Sequence, residues 1–173
     1  MVPYSMKFPA EDAKINVTGL VNVLEAARTT GVKKIVFSSS AAVYGNNDHI
    51  PLKESEPVDP TSFYGLTKIT AEQYLQLYYK TFGLTYVVLR YSNVYGERQG
   101  NGGEGGVVFV FAKALTENRD LCIFGDGNQS RDFIYVKDVV QANLRAMENT
   151  VPVGIYNISS NTEVTVNELK KYL

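Results

Sequence analysis

One pair of residues in this chain has both the types and the spacing for proton chemistry: Tyr64 and Lys68, in Tyr64-Gly65-Leu66-Thr67-Lys68. Four residues apart on a helix, a phenol and an amine lie side by side on one face. A tyrosine hydroxyl, with a reference pKa of about 10, is a poor base at neutral pH. A neighbouring ammonium favours the phenolate and makes the group a usable proton acceptor. Upstream, Ser38-Ser39-Ser40 closes an apolar run, and a hydroxyl from Ser40 can share a hydrogen bond with the same substrate oxygen. Taken alone the pair is weak, because a chain with twelve tyrosines can show an ordinary surface pair at this spacing. Serines at a strand end can also serve only to satisfy loop backbone. What lends the constellation weight is its place: ligand sites in open α/β sheets lie at the carboxyl ends of strands.

The elements that must position these groups alternate. Residues 11–30 repeat apolar side chains at Val17, Leu20, Val21, Leu24 and Ala27, which is helical spacing, and Gly31 is placed to end that helix. Residues 34–38 form a short β-branched run without polar alternation, as expected of a strand covered on both faces. A polar loop with Pro51, Pro57 and Pro60 leads to a long helix over 62–82, which Gly83 closes, and 85–91 reads as a second buried strand. Residues 100–106 are glycine-rich and expected to be a flexible loop. A helix over 107–118 follows, then a strand over 121–124, a turn at Gly125-Asp126-Gly127 and a strand-like run over 131–136. A helix over 137–149, a strand over 154–158 and a final helix opened by the capping box Thr165-x-x-Glu168 complete the pattern. Alternating strands and helices imply a parallel, doubly wound sheet. The shorter elements after the glycine-rich stretch point to a second small lobe, so the expected division is residues 1–100 and residues 101–173, with elements of the latter returning to the main sheet.

The 173 residues have the size of one domain with a useful core. Lys and Arg number 17 against 18 Asp and Glu, a net charge of −1, without the basic excess that a nucleic-acid partner calls for. One cysteine and one histidine give no zinc cluster. Cys122, inside an apolar run, is expected to be a buried thiol, and His49, in a polar stretch, a surface loop residue. Neither a signal peptide nor an apolar run of about eighteen residues occurs. No membrane partner is therefore expected, and the cytosol is the default compartment.

Four motifs in order now carry a resemblance. They are Ser38-Ser39-Ser40-Ala41-Ala42-Val43-Tyr44-Gly45, Tyr64-x-x-x-Lys68, Arg90-Tyr91-Ser92-Asn93-Val94-Tyr95-Gly96, and Gly125-Asp126-Gly127 with Arg131-Asp132-Phe133-Ile134-Tyr135-Val136-x-Asp138-Val139. Together they resemble the NAD-dependent epimerase/dehydratase family of extended short-chain dehydrogenases/reductases, and within it the enzymes that invert a UDP-hexose at carbon 4. The resemblance covers nearly the whole chain from Asn16 onward. It implies the C-terminal half of a Rossmann-like NAD-binding domain plus part of a substrate-binding lobe. It further implies that Tyr64 is the general base and acid, that Lys68 lowers its pKa and binds the nicotinamide ribose, and that Ser40 is the third polar catalytic group. Asn16, in Asn16-Val17-x-Gly19, looks like the family's active-site asparagine. Ser38, Ser39 and Tyr91 match cofactor-lining positions. Asn93 and Arg131 match substrate-binding ones, the arginine meeting the substrate diphosphate with its forked donors.

The implied reaction is redox-neutral: a proton leaves a sugar hydroxyl to Tyr64, hydride passes to NAD and returns to the opposite face of a 4-keto-sugar. Sugar 4,6-dehydratases of the family carry an acidic residue just after the catalytic hydroxyl. Here Ala41 and Ala42 stand there, which favours epimerisation. The rivals are another nucleotide-sugar enzyme of the family (uronate epimerase, decarboxylase or reductase) and a non-catalytic sugar-nucleotide-binding module. The family's glycine-rich loop, which cradles the cofactor pyrophosphate, has no counterpart here. About eighty further residues, two or three βα units, are expected to precede this segment in an intact enzyme. The chain alone is therefore expected to bind NAD weakly or not at all and to be inactive. The resemblance also implies a homodimer that pairs helices 11–30 and 62–82 across a two-fold axis.

Overall fold

The computed structural model describes residues 1–100 and 105–173; most of the glycine-rich stretch expected as a loop lies outside the described residues. In chain order the first elements are α1 (Val2–Lys7), α2 (Pro9–Ala13), a π-helical turn (Lys14–Thr18), α3 (Gly19–Thr29), β1 (Lys34–Ser40), a 3-10 turn (Ala41–Tyr44), α4 (Phe63–Phe82) and β2 (Thr85–Tyr91). Then come β3 (Asn93–Tyr95), α5 (Val107–Thr116), β4 (Ser130–Tyr135), α6 (Val136–Ala146), β5 (Gly154–Ile158), β6 (Glu163–Thr165) and α7 (Val166–Tyr172). The chain divides into two compact units, one of residues Met1–Tyr91 with Ala142–Asn157, the other of Ser92–Gln141 with Ile158–Leu173.

In the first unit β1 and β2 run parallel, in register from Lys34 opposite Thr85 to Ser40 opposite Tyr91. The sheet order is β1-β2-β5. The central strand β2 is buried from Tyr86 to Arg90, as a strand with neighbours on both edges should be. Helix α4 begins where the Ser62 hydroxyl accepts the Gly65 N–H and ends at Gly83 in the left-handed region (φ 72°). This pairing of a serine N-cap with a glycine C-cap satisfies backbone groups at both ends. Leu24 and Ala27 of α3, Leu75 and Tyr78 of α4, and Leu84, Tyr86 and Val88 form one core cluster. Each fully buried leucine or valine there contributes about 1.5–3 kcal/mol. The predicted helix over 11–30 is found as α2, the π-helical turn and α3 in unbroken succession, and it begins earlier than expected, at Pro9.

In the second unit β3 pairs parallel with β4, and β4 antiparallel with β6. Phe111, Val166 and Leu169 form its core, with Leu121 and Ile123 packed against them. Asp132 latches the segments together: Oδ1 accepts from the Ser160 N–H and the Ser92 hydroxyl, and Oδ2 from the Thr162 N–H. The capping box is present, Thr165 Oγ1 accepting the Glu168 N–H and Glu168 accepting the Thr165 N–H. Gly125 and Gly127 both take φ 76° in the predicted turn.

Two expectations are corrected here. Residues 121–124 form no strand, since they make no ladder with any described strand. Cys122 is exposed rather than buried: Leu121 and Ile123 take the inward positions, so Cys122 and Phe124 between and after them face outward.

Candidate active site

Lys68 is the hub of the polar groups in the first unit. Its Nζ donates to the Ser38 carbonyl at 2.8 Å, lies 5.6 Å from the centroid of the Tyr64 ring and 5.0 Å from that of Phe37. The amine of α4 is therefore tied to the carboxyl end of β1 while it flanks the phenol one turn earlier on its own helix. Burial pushes the Lys68 ammonium below the ordinary lysine range, and the charge of Asp12 opposes that shift.

The approach of α4 to β1 depends on Gly65. A Cβ there would come within 2.6 Å of the Ala42 carbonyl oxygen and 2.9 Å of Pro60 Cβ. Only a glycine lets the first turn of α4 rest on the 3-10 turn that follows Ser40. Ser40 is the extended N-cap of that turn, its Oγ accepting the Ala42 N–H at 3.2 Å, which leaves the hydroxyl hydrogen to donate. The backbone of Tyr64 is held at its N–H, which donates to Ser5 Oγ at 3.0 Å, while its carbonyl lies 2.9 Å from Thr67 Oγ1, whose single hydrogen it shares with Asp12.

The three serines part company along β1, because successive strand residues face opposite sides. Ser38 Oγ meets Tyr91 OH at 3.1 Å, and Tyr91 in turn hydrogen-bonds the Asn143 amide. Ser39 turns inward, is buried, and donates to Glu72 Oε1 at 2.6 Å; any ligand contact from it rests on its backbone. Glu72 is also paired with Arg90, bidentate at 3.0 and 2.6 Å. Arg90 further donates to Tyr44 OH, which donates to Asn157 Oδ1. This buried network braces α4, β1 and β2 beneath the site.

Asn16 sits in the π-helical turn and donates to Asp12 Oδ1 at 3.0 Å; Asp12 Oδ2 accepts from Thr67 Oγ1 at 2.9 Å. A π-helical turn is rare and often marks a functional position. Asn16, Ser38, Tyr64, Lys68 and Tyr91 are thus linked through α2, α4 and the strand ends, while Ser40 stands at the end of β1 with its hydroxyl on the turn that follows. Sequence reasoning missed Asp12, Thr67, Glu72 and Asn143. A signal was available for Asp12, four residues before Asn16 and on the same helical face.

Asn93 and Arg131 belong to the second unit, both exposed. They line a cavity of about 270 Å³ together with Phe111, Cys122, Phe124 and Gln129 among others. Asn93 Nδ2 donates to the Asp132 carbonyl and Arg131 Nη1 to its neighbour Ser130. An aromatic wall with amide and guanidinium groups suits a ligand having a flat ring and an anionic end.

A family model described as NAD dependent epimerase/dehydratase family matches residues 1–159. A putative UDP-glucose 4-epimerase of Methanocaldococcus jannaschii is 48% identical over 166 residues, 95% of this chain and 54% of that protein. A solved UDP-N-acetylglucosamine 4-epimerase of Methanobrevibacter ruminantium, in complex with UDP-N-acetylmuramic acid, superimposes with a TM-score of 0.95 at 39% identity, covering 99% of this chain and 55% of the other. The UDP-glucose 4-epimerase of Thermotoga maritima with UDP-glucose does so with a TM-score of 0.93 at 44% identity, over 98% and 55%. The chain spans about half the length of the curated relatives it matches.

Proposed function

The chain belongs to the NAD-dependent epimerase/dehydratase family, and on that premise we propose that it supplies the catalytic and part of the substrate-binding portion of a nucleotide-sugar 4-epimerase, with UDP-glucose and UDP-galactose as the substrate pair. The observation that carries this reading is the Lys68 amine, held between the Tyr64 ring and the carboxyl end of β1.

The donor set fits the ribose end of a nicotinamide cofactor. Lys68, Ser38 and Tyr91 put an amine and two hydroxyls at the ends of adjacent parallel strands, where hydroxyl-rich ligands are held in such sheets. These residues would hold the nicotinamide ribose, and NAD supplies the hydride acceptor and donor when bound. Everything else is the work of the chain itself. Tyr64 takes the proton from the sugar hydroxyl and later returns it. Lys68 keeps positive charge beside the phenol, which favours the phenolate. Ser40 shares the hydrogen bond to the reacting oxygen, and Asn16 serves as the active-site asparagine.

In the second unit, Arg131 and Asn93 bind the nucleotide diphosphate, with the exposed Phe124 ring flanking the base. Anchoring through this distant group leaves the sugar ring able to present either face, which is what inversion at one carbon requires. Exposed Val23 on α3, and Leu66, Leu77 and Phe82 on α4, support a homodimer through these helices, a surface of the kind that marks association.

The test is conversion of UDP-galactose to UDP-glucose by the full-length gene product. Turnover of this pair supports the reading. Activity confined to a UDP-uronate or to a decarboxylation would replace it with another chemistry of the family. UDP-sugar binding with no turnover of any kind would make this a binding module.

A further inference from the structure

The first unit buries two carboxylates that the proposed chemistry does not use; Glu72 is paired with Arg90, and Asp12 has no such partner. Asp12 is 3% exposed, and among the described residues no Lys or Arg forms an ion pair with it. Taking an ionised carboxylate out of water costs several kcal/mol unless its oxygens are satisfied. Here each oxygen has one partner: Oδ1 accepts Asn16 Nδ2 at 3.0 Å, and Oδ2 accepts Thr67 Oγ1 at 2.9 Å. One partner lies in the π-helical turn, the other in the second turn of α4, between Tyr64 and Lys68. The Thr67 hydroxyl is also within reach of the Tyr64 carbonyl, at 2.9 Å. Asp12 thereby joins three of the residues assigned to the chemistry, Asn16 directly, Tyr64 through Thr67, and Lys68 through its field.

We infer that Asp12 is a positioning residue, its buried carboxylate holding Asn16 and the Tyr64–Lys68 segment of α4 in one fixed arrangement. This rests on the reading that Tyr64 and Lys68 carry the proton chemistry. Asp12 has a second effect, by charge. Of the groups around Lys68, β1 presents only the Phe37 ring and the Ser38 carbonyl, neither of which titrates, and Tyr64 lies on α4 itself. The charge that counters the burial of the ammonium is that of Asp12.

A carboxylate kept only for helix stability would not set the protonation of an amine on another helix. The test therefore reads Lys68 and Asn16 by NMR in the 173-residue chain, with Lys68→Arg and Asn16→Ser used for assignment. In Asp12→Asn the Lys68 titration midpoint is expected to move to lower pH, and the Asn16 side-chain amide signals to lose the shift that a carboxylate acceptor causes. Unchanged Lys68 and Asn16 signals in folded Asp12→Asn would overturn the proposal. Should that variant not fold, Thr67→Val and Thr67→Ser decide: native Asn16 signals with serine but displaced ones with valine support the clamp, and identical signals in both overturn it. In the full-length gene product, Asp12→Asn should lower kcat by up to about a hundredfold with little change in KM, and bring the alkaline loss of activity to lower pH. A KM effect alone would refute the positioning role. None of the NMR readouts depends on turnover, so a Tyr64→Phe enzyme with normal turnover would sink the epimerase reading while leaving the clamp to stand or fall on its own.

Discussion

Lys68 Nζ donates to the Ser38 carbonyl oxygen at 2.8 Å, so a single bond fixes the amine of α4 to the last turn-out of β1 and sets it beside Tyr64. Replacing Lys68 with Met keeps the length of the side chain and removes both this bond and the charge. Activity should fall by at least about a hundredfold, the range general acid–base groups contribute. Removing a half-buried amine whose ammonium is disfavoured by burial should leave thermal stability nearly unchanged. Full activity in the Met variant would show that the amine is not part of the chemistry.

Tyr64→Phe removes one hydroxyl and leaves the ring against Lys68. Turnover should drop by about 10²–10⁴-fold while nucleotide-sugar affinity, measured by calorimetry, stays within a few-fold. A Tyr64→Phe enzyme that turns over normally would send the proton chemistry elsewhere.

Gly65→Ala pits two effects against each other. Alanine gains about 1 kcal/mol of helix propensity, but its Cβ would stand 2.6 Å from a backbone carbonyl oxygen, and overpacking of this kind costs about 1–3 kcal/mol. Backbone cannot swing aside as a flexible side chain does, so the clash wins. Net destabilisation in urea and loss of activity are expected; a more stable Gly65→Ala chain would contradict the close approach of α4 to the Ala41–Tyr44 turn.

Glu72 and Arg90 form a buried ion pair, with side chains 0% and 3% exposed. Glu72→Ala strands the guanidinium and the Ser39 hydroxyl, and should cost about 3–5 kcal/mol in equilibrium unfolding. The double variant Glu72→Met, Arg90→Met should recover much of that loss, because no charge is left unpaired. Equal losses in the single and double variants would mean the pair is not coupled.

Glu25 gives the clearest dependence of stability on pH. Hydrogen bonds from Arg28 and then from Tyr78 hold its carboxyl down at about 2. A carboxyl depressed in the folded state binds fewer protons there than in the unfolded chain, so its contribution is present above the ordinary value of 4.5 and lost as pH falls toward 2. Glu25→Gln should therefore lessen the loss of stability between those values, read as the change of urea midpoint with pH. Parallel profiles for the two chains would remove Glu25 from the account.

Features that depend on a few adjacent residues were legible in the amino-acid order: the helix of Leu24 and Ala27, the strand 85–91, the Thr165–Glu168 capping box, and the Tyr64–Lys68 spacing. Their physics is short-range, since 3.6-residue periodicity, caps and left-handed glycines are decided within a turn or two. Partners far apart in the chain were settled by packing alone. Ser38, Ser39 and Ser40 are chemically identical in sequence, yet the register of β1 on β2 sends the middle one into the core, to Glu72, 33 residues away. The same holds for Asp12, whose acceptor oxygen meets a hydroxyl 55 residues later. Nothing local marks a charged residue for burial, because its cost is repaid only by groups that the tertiary fold brings to it.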